Sequence, residues 1–183
     1  NKIKRNLKGV QIYYGDENKF FSYDKVVVAT HADEALKLIE KPSQEEIKIL
    51  SNFTYKENIA YIHFDENIMP KNRKNWCSWN SSVDKDNINN NSVTYWLNLL
   101  QNLKIDKNIF LTLNPYQNIN KEKIYQKVVF THPYYDVNAL TNQKNLSTIQ
   151  NKDNILFCGS YFGYGFHEDG IKSSLNMIEH LND

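Results

Sequence analysis

Cysteine, proline and glycine are all scarce in this chain, with 2, 4 and 6 residues of each among 183. Two cysteines, Cys77 and Cys158, cannot build a disulfide framework, and their spacing suits no metal site. They read as buried or partly buried thiols in a reducing compartment, which makes a cytoplasmic location the expectation. Charge of one sign is not in excess either: 22 basic residues face 21 acidic ones. A nucleic-acid footprint needs a basic surplus on one face, so that class of partner is not expected. No apolar run reaches the roughly 18 residues that a membrane-spanning helix requires. The opening residues, Asn1 to Asn6, carry neither an apolar signal region nor an initiator Met, so a natural beginning is not expected there. No Gly-x-Gly-x-x-Gly occurs, no Gly-Lys-Ser/Thr follows a glycine loop, and no internal repeat is visible.

What the chain does have is aromatic and aliphatic mass. Twelve Tyr, nine Phe and three Trp within an apolar fraction of 40% can supply a core. Gly9 to Tyr14 alternates, meets the turn cluster Gly15 to Asn18, and resumes at Lys19 to Tyr23, the pattern of a hairpin. Asp24 to Thr30 contains a short β-branched run of the kind found in a parallel strand covered on both faces. Asp33 then stands as a candidate N-cap for a short helix over 34–39. Ser43 and Glu46 have capping-box spacing and open a second helix through Leu50.

The middle of the chain changes character. Strands are expected at 58–64, 76–80, 92–97, 109–113 and 127–131, with 96–103 as an alternative short helix and 81–91 as a polar, Asn-rich loop or hairpin tip. This makes a mostly antiparallel sheet of roughly five strands, closed by His132-Pro133. The end returns to α/β grammar: a buried strand at 154–158, a glycine-bearing loop at 159–169, and a helix at 170–181. Ile171, Leu175, Ile178 and Leu181 recur at helical spacing and give that helix one apolar face.

The segment from Phe157 to Gly170 carries the most chemistry. A strand that feeds a glycine loop and then a helix start aims unpaired N–H groups and a helix dipole at one place, which suits an anionic or electron-rich ligand. Tyr161, Phe162, Tyr164 and Phe166, interleaved with the glycines, could line a flat pocket. A glycine-rich turn whose aromatics only plug the core is the alternative reading.

This segment resembles the flavin-contacting carboxy-terminal motif of the FAD-dependent amine oxidase family, in particular a bacterial subgroup of NAD/FAD-binding proteins. The resemblance extends in order over Asp24 to Asp33, Trp76 to Asn80, Val93 to Trp96, Leu113 to Pro115 and Tyr161 to Gly170. It implies an α/β fold with an antiparallel substrate domain, as in two-domain flavoproteins. Residues 1–45 would be the last part of an FAD-binding domain, 46–150 the substrate-binding domain, and 151–183 the flavin-contacting return. It implies FAD as cofactor, with Gly159 and Ser160 packing loop backbone against it and Tyr161 and Gly165 in the same loop. Glu168, Asp169, Gly170 and Ile171 would face the flavin pyrimidine edge, His167 would stand beside the ring, and Thr30 would contact the cofactor from the neighbouring strand end. Two departures stand out: Ser160 replaces a Glu common in relatives, and Ser174 replaces a Gly. The Gly-x-Gly-x-x-Gly unit with its acidic residue about 20 positions on is absent, so the chain is expected to be the carboxy-terminal part of a longer protein, lacking its partner half.

Other side chains weigh less. His31 either lies near the cofactor or is a loop residue. His63 on an alternating strand reads as structural, and His132 as a strand-ending residue. His167-Glu168-Asp169 lacks metalloprotease spacing, so no metal site is expected. Trp76, Trp79 and Trp96 form either a core or an apolar substrate pocket. Lys71, Arg73 and Lys74 read as a solvated loop. The resulting expectation is a flavin oxidoreductase moving a hydride from a C–N or C–C bond of an apolar or lipid-like small molecule. A nucleotide- or S-adenosylmethionine-binding transferase and a non-catalytic binding module are the alternatives.

Overall fold

Alternation at the amino end produces an antiparallel meander. The computed structural model describes residues 1–15 and 19–181, so Asp16, Glu17 and Asn18 of the expected turn lie outside the described residues. Strand β1 (Lys2–Asn6) pairs with β2 (Gly9–Tyr13), and β2 with β3 (Phe20–Tyr23). Ile3 and Val10 mark the buried side of the meander. At Gly9, φ is +144° and a Cβ would stand 2.3 Å from the Tyr23 carbonyl oxygen, so the turn into β2 admits glycine alone.

The β-branched run forms β4 (Val26–Val28), which pairs in parallel with β10 (Ile155–Phe157). All three residues of β10 are fully buried, but Val27 is exposed. The expectation of a strand covered on both faces therefore fails at Val27, because this sheet has only two strands among the described residues. Helix α1 (Ala32–Leu38) starts earlier than expected. His31 is its N-cap residue, and Asp33 lies inside the first turn, where its carboxylate takes the Lys37 ammonium at 2.7 Å. Helix α2 (Gln44–Leu50) has the expected capping box: Glu46 N–H donates to Ser43 Oγ at 3.1 Å and Ser43 N–H to Glu46 Oε2 at 2.7 Å.

Two compact units result, Asn1–Lys56 with Pro133–Asp183, and Glu57–His132. The middle unit is narrower than the expected 46–150 segment. Ile49, Leu50, Ala139, Leu146 and Ile149 share one core with Ile3, Val28 and Phe157, which assigns α2 and the residues after 133 to the first unit. Helix α4 (Val137–Gln143), capped by Asp136 Oδ1 on Ala139 N–H at 2.8 Å, belongs there too, as does helix α5 (His167–Glu179).

The second unit is a sheet in the order β6-β7-β8-β5-β9. Its strands are β5 (Thr54–His63), β6 (Trp79–Val83), β7 (Asn91–Trp96), β8 (Phe110–Leu113) and β9 (Ile124–Tyr134), with the short helix α3 (Leu97–Leu100) after β7. The strand expected at Trp76 begins only at Trp79. Trp76 N–H donates to Arg73 C=O in a 3-10 turn, and the indole N–H goes to Pro70 C=O at 2.8 Å. Pro133 does not end β9, because β9 is an edge strand and an edge tolerates a missing N–H. Register places His63, Thr112 and Thr94 on one face, where all three are buried, and Ala60, Ile62, Leu111, Leu113, Val93 and Tyr95 on the other. No helix in the described residues is long and apolar enough to cross a membrane.

Candidate functional site

Parallel pairing of β4 with β10 brings their carboxyl ends side by side, and the loops leaving them meet. The Thr30 carbonyl oxygen lies 3.5 Å from where a Gly159 Cβ would stand. Open α/β sheets bind ligands at such strand ends. Thr30, Gly159 and Ser160 are thus brought together, and Thr30 Oγ1 donates to His31 C=O at 3.0 Å. The His31 ring stacks on Tyr55 at 4.3 Å. Tyr55 Oη accepts the Ala32 N–H, and burial pushes its phenol up to about 12.

The loop is tied from within. Gly159 N–H donates to Ser173 Oγ at 2.9 Å, and Ser173 in turn donates to Gly170 C=O at 2.7 Å. Gly163 and Gly165 N–H both donate to Ser160 C=O. Three of the glycines have internal reasons to be small. A Cβ on Gly159 would stand 2.7 Å from the Tyr161 ring, one on Gly163 2.4 Å from the Asp169 carboxyl, and one on Gly165 2.9 Å from Tyr135 Oη. Gly170 is different: its nearest neighbour would be Ser160 N at 3.9 Å, so space beside it is open.

Helix α5 begins at His167, three residues before the expected Gly170. Phe166 offers no capping side chain, so Asp169 folds back and Oδ2 accepts the N–H groups of Tyr164 and Phe166, each at 3.0 Å. Asp169 and Gly170 N–H donate to Phe166 C=O. Of the amides that the resemblance aimed at the pyrimidine edge, these two are therefore engaged. Among the described residues, the N–H groups without a protein acceptor here are those of Ser160, Tyr161, His167 and Glu168. His167 and Glu168 open α5, at the positive end of its dipole. The Glu168 carboxylate meets Lys172 one turn on at 3.7 Å.

The aromatics divide. Tyr164 and Phe166 are exposed beside the loop, whereas Tyr161 is buried among Phe53 and Phe162. Tyr161 Oη has no hydrogen-bond partner among the described residues, and burial raises its pKa. An orphaned buried hydroxyl carries a desolvation cost, so Tyr161→Phe should stabilise this chain by ~1 kcal/mol in urea unfolding. A destabilising outcome would mean that the hydroxyl has a partner. A cleft of about 370 Å³ flanks the loop, lined by Gln143, Gln150, Asp169, Lys172, Asn176 and others. A depression of about 620 Å³ lies at the β1–β2 turn around Leu7, Lys8 and Tyr23. No group of three or more metal-ligating side chains occurs among the described residues.

His63 was expected to be structural, and the sheet buries it completely. Trp76, half-buried, packs edge-on against Trp96 and Phe110, at 5.3 and 5.7 Å, while Trp79 is exposed on the opposite face. Sequence reading missed the fold-back of Asp169. Its signal was Asp three residues after a residue unable to cap, the carboxylate half of a capping box.

Neither a protein-family model nor a curated protein matches this sequence. Solved structures do. A conjugated-linoleic-acid-producing fatty acid isomerase from P. acnes aligns over 98% of this chain and 46% of its own, at 14% identity and TM-score 0.66. Cyclohexylamine oxidase from Brevibacterium oxydans IH-35A aligns over 100% of this chain and 48% of its own, at 9% identity and TM-score 0.62. The shared property is the fold. The chain spans about half the length of these structures, over their carboxy-terminal halves.

Proposed function

We propose that this chain is the carboxy-terminal part of an FAD-dependent oxidoreductase of the amine-oxidase kind, acting on an apolar or lipid-like substrate. The observation that carries the reading is the set of free amides in this loop and the first turn of α5, Ser160, Tyr161, His167 and Glu168, with Ser160 N 3.9 Å from where a Gly170 Cβ would stand. That donor set fits the electron-rich edge of a flavin ring. When bound, FAD supplies the hydride-accepting chemistry. The amides of this loop would favour negative charge on the reduced ring, and Asp169 would hold them in place by closing the loop behind them. Thr30, Gly159, Tyr161, Gly165 and Ile171 would shape the surrounding wall. The oxidase and isomerase folds of the neighbours support the class of reaction. For the substrate, support comes from the second unit, where Ala60, Ile62, Val93, Tyr95, Leu111 and Leu113 share one apolar side of the sheet.

The test uses the longest natural polypeptide that contains this chain. Purified protein should show flavin absorbance and release FAD on denaturation. Gly170→Ala should be neutral or stabilising by ~0.5–1 kcal/mol, because it removes glycine from a helix into open space. The same substitution should weaken FAD binding about tenfold. A colourless protein that binds S-adenosylmethionine would replace this reading with the transferase one, and unimpaired FAD binding by Gly170→Ala would move the site elsewhere.

A further inference from the structure

We infer that one end of the second unit's sheet docks on an anionic phospholipid bilayer, through the loop after β7 and the basic segment before β6. Its evidence lies wholly in the second unit and does not depend on the flavin reading. Antiparallel pairing places the connections 64–78 and 97–109 at one end of the sheet, because β5 and β7 finish where β6 and β8 begin. Side chains lace the two together. Trp96 indole N–H donates to Asn108 Oδ1 at 3.0 Å, and Asn108 Nδ2 donates to Glu66 Oε1 at 2.6 Å. The loop after β7 is folded around Asn98. That side chain donates to Lys107 C=O at 2.9 Å and accepts Ile109 N–H at 2.7 Å, while its own carbonyl accepts Leu103 N–H at 2.9 Å. Closing the loop in this way spends its interior on an asparagine and leaves Leu99, Leu100 and Ile105 at 51%, 42% and 49% exposure.

The charge at this end selects the occupant. Lys71, Arg73, Lys74, Lys104 and Lys107 are exposed in the same two connections, and none of them enters an ion pair among the described residues. Two are held in place by rings, Arg73 over Trp76 at 5.1 Å and Lys107 over Phe64 at 3.5 Å. Against these cations stand Asp106 and Glu66, since Asp65 is already matched by Lys123. The far end of the sheet has the opposite sign: the β6–β7 tip carries Asp84 and Asp86 around Lys85. Aliphatic side chains set among unpaired cations suit a bilayer interface, where the former enter the acyl boundary and the latter meet anionic head groups. A single-stranded nucleic acid would use the cations but gains its stacking energy from aromatic rings, and Leu99, Leu100 and Ile105 offer none.

The experiment mixes the longest natural polypeptide that contains this chain with vesicles of pure phosphatidylcholine, or of an equimolar mixture with phosphatidylserine, and reads the bound fraction by sedimentation. The mixed vesicles should bind it at least about tenfold more strongly. That binding should weaken as added salt shortens the Debye length from about 30 Å to about 8 Å. Lys71→Gln combined with Lys74→Gln should lower the partition coefficient about tenfold, and Leu99→Ser about fivefold. These side chains are exposed, so Tm should stay the same. Lys85→Gln at the far tip should leave vesicle binding unchanged. Equal binding to both kinds of vesicle, or equal losses from substitutions at the two ends, would overturn the inference. Binding of single-stranded DNA that competes with the vesicles and ignores Leu99→Ser would replace the bilayer with a nucleic acid. Vesicle binding by a colourless protein would keep the docking surface and remove the flavin reading. A flavin-bearing protein that stays in the supernatant would do the reverse.

Discussion

Arg5→Ala should destabilise the first unit by roughly 3 kcal/mol or more, the cost of leaving a buried carboxylate unpaired. Glu46 is fully buried, its Oε2 is held by the Ser43 amide, and its Oε1 takes the guanidinium of Arg5. Arg5 also donates to Lys41 C=O at 2.8 Å, which fixes β1 against the start of α2. Removing the cation leaves a buried carboxylate that keeps the Ser43 amide but loses its cation. The signature that separates this from lost packing is a rescue. In the Arg5→Ala background, Glu46→Gln removes the stranded charge while its amide oxygen can still accept the Ser43 N–H. The double variant should therefore be more stable than Arg5→Ala alone by ~1 kcal/mol or more, a coupling read from a double-mutant cycle in urea. If the second substitution only adds to the damage, Glu46 is not stranded by the loss of Arg5 and the pair does not hold this corner together.

The same corner illustrates what sequence could and could not reveal. The Ser43–Glu46 capping box is local, encoded within four residues, and was legible. That Glu46 would be buried under Arg5, 41 residues earlier, is a tertiary fact with no local signature. The α5 helix makes the point more sharply. Its 3.6-residue apolar period was read correctly, but period reports which residues share a face, not whether the described chain covers that face. In this structure the packed face is the one with Ser173 and Met177. The antiparallel middle was legible as five alternating strands, whereas Pro133 misled because its compatibility with β9 depends on edge position, which is a property of the sheet. At the loop, the strand–glycine–helix grammar was visible. Which amides remain free was not, since that depends on Asp169 folding back rather than facing a ligand.

The second large effect belongs to His63, and its sign follows from its bonds. Asp65 N–H donates to Nδ1 at 3.1 Å, so Nε2 carries the ring proton and donates to Thr112 Oγ1 at 2.7 Å; Thr112 and Thr94 share a further bond at 2.8 Å. A second proton would have to displace the Asp65 amide inside a buried sheet face. Burial holds the imidazole down at about 4, with the nearby Asp65 charge pulling the other way and losing. The unfolded chain takes up this proton near 6.5 and the folded chain only near 4, so folding stability falls as pH drops through that interval. At 1.36 kcal/mol per pKa unit the loss is roughly 3 kcal/mol. Asp65 extends the effect to lower pH. Its own burial would raise its pKa, but the Asn120 and Asn67 amides and Lys123 outweigh that and lower it, so the stability it contributes is present at neutral pH and lost in acid. Urea unfolding of the chain from pH 7.5 to 4.0 should therefore show a steep decline that His63→Gln largely flattens. Parallel decline in both proteins would assign the acid sensitivity to other groups, and would leave the His63–Thr112–Thr94 chain as packing without a pH signature.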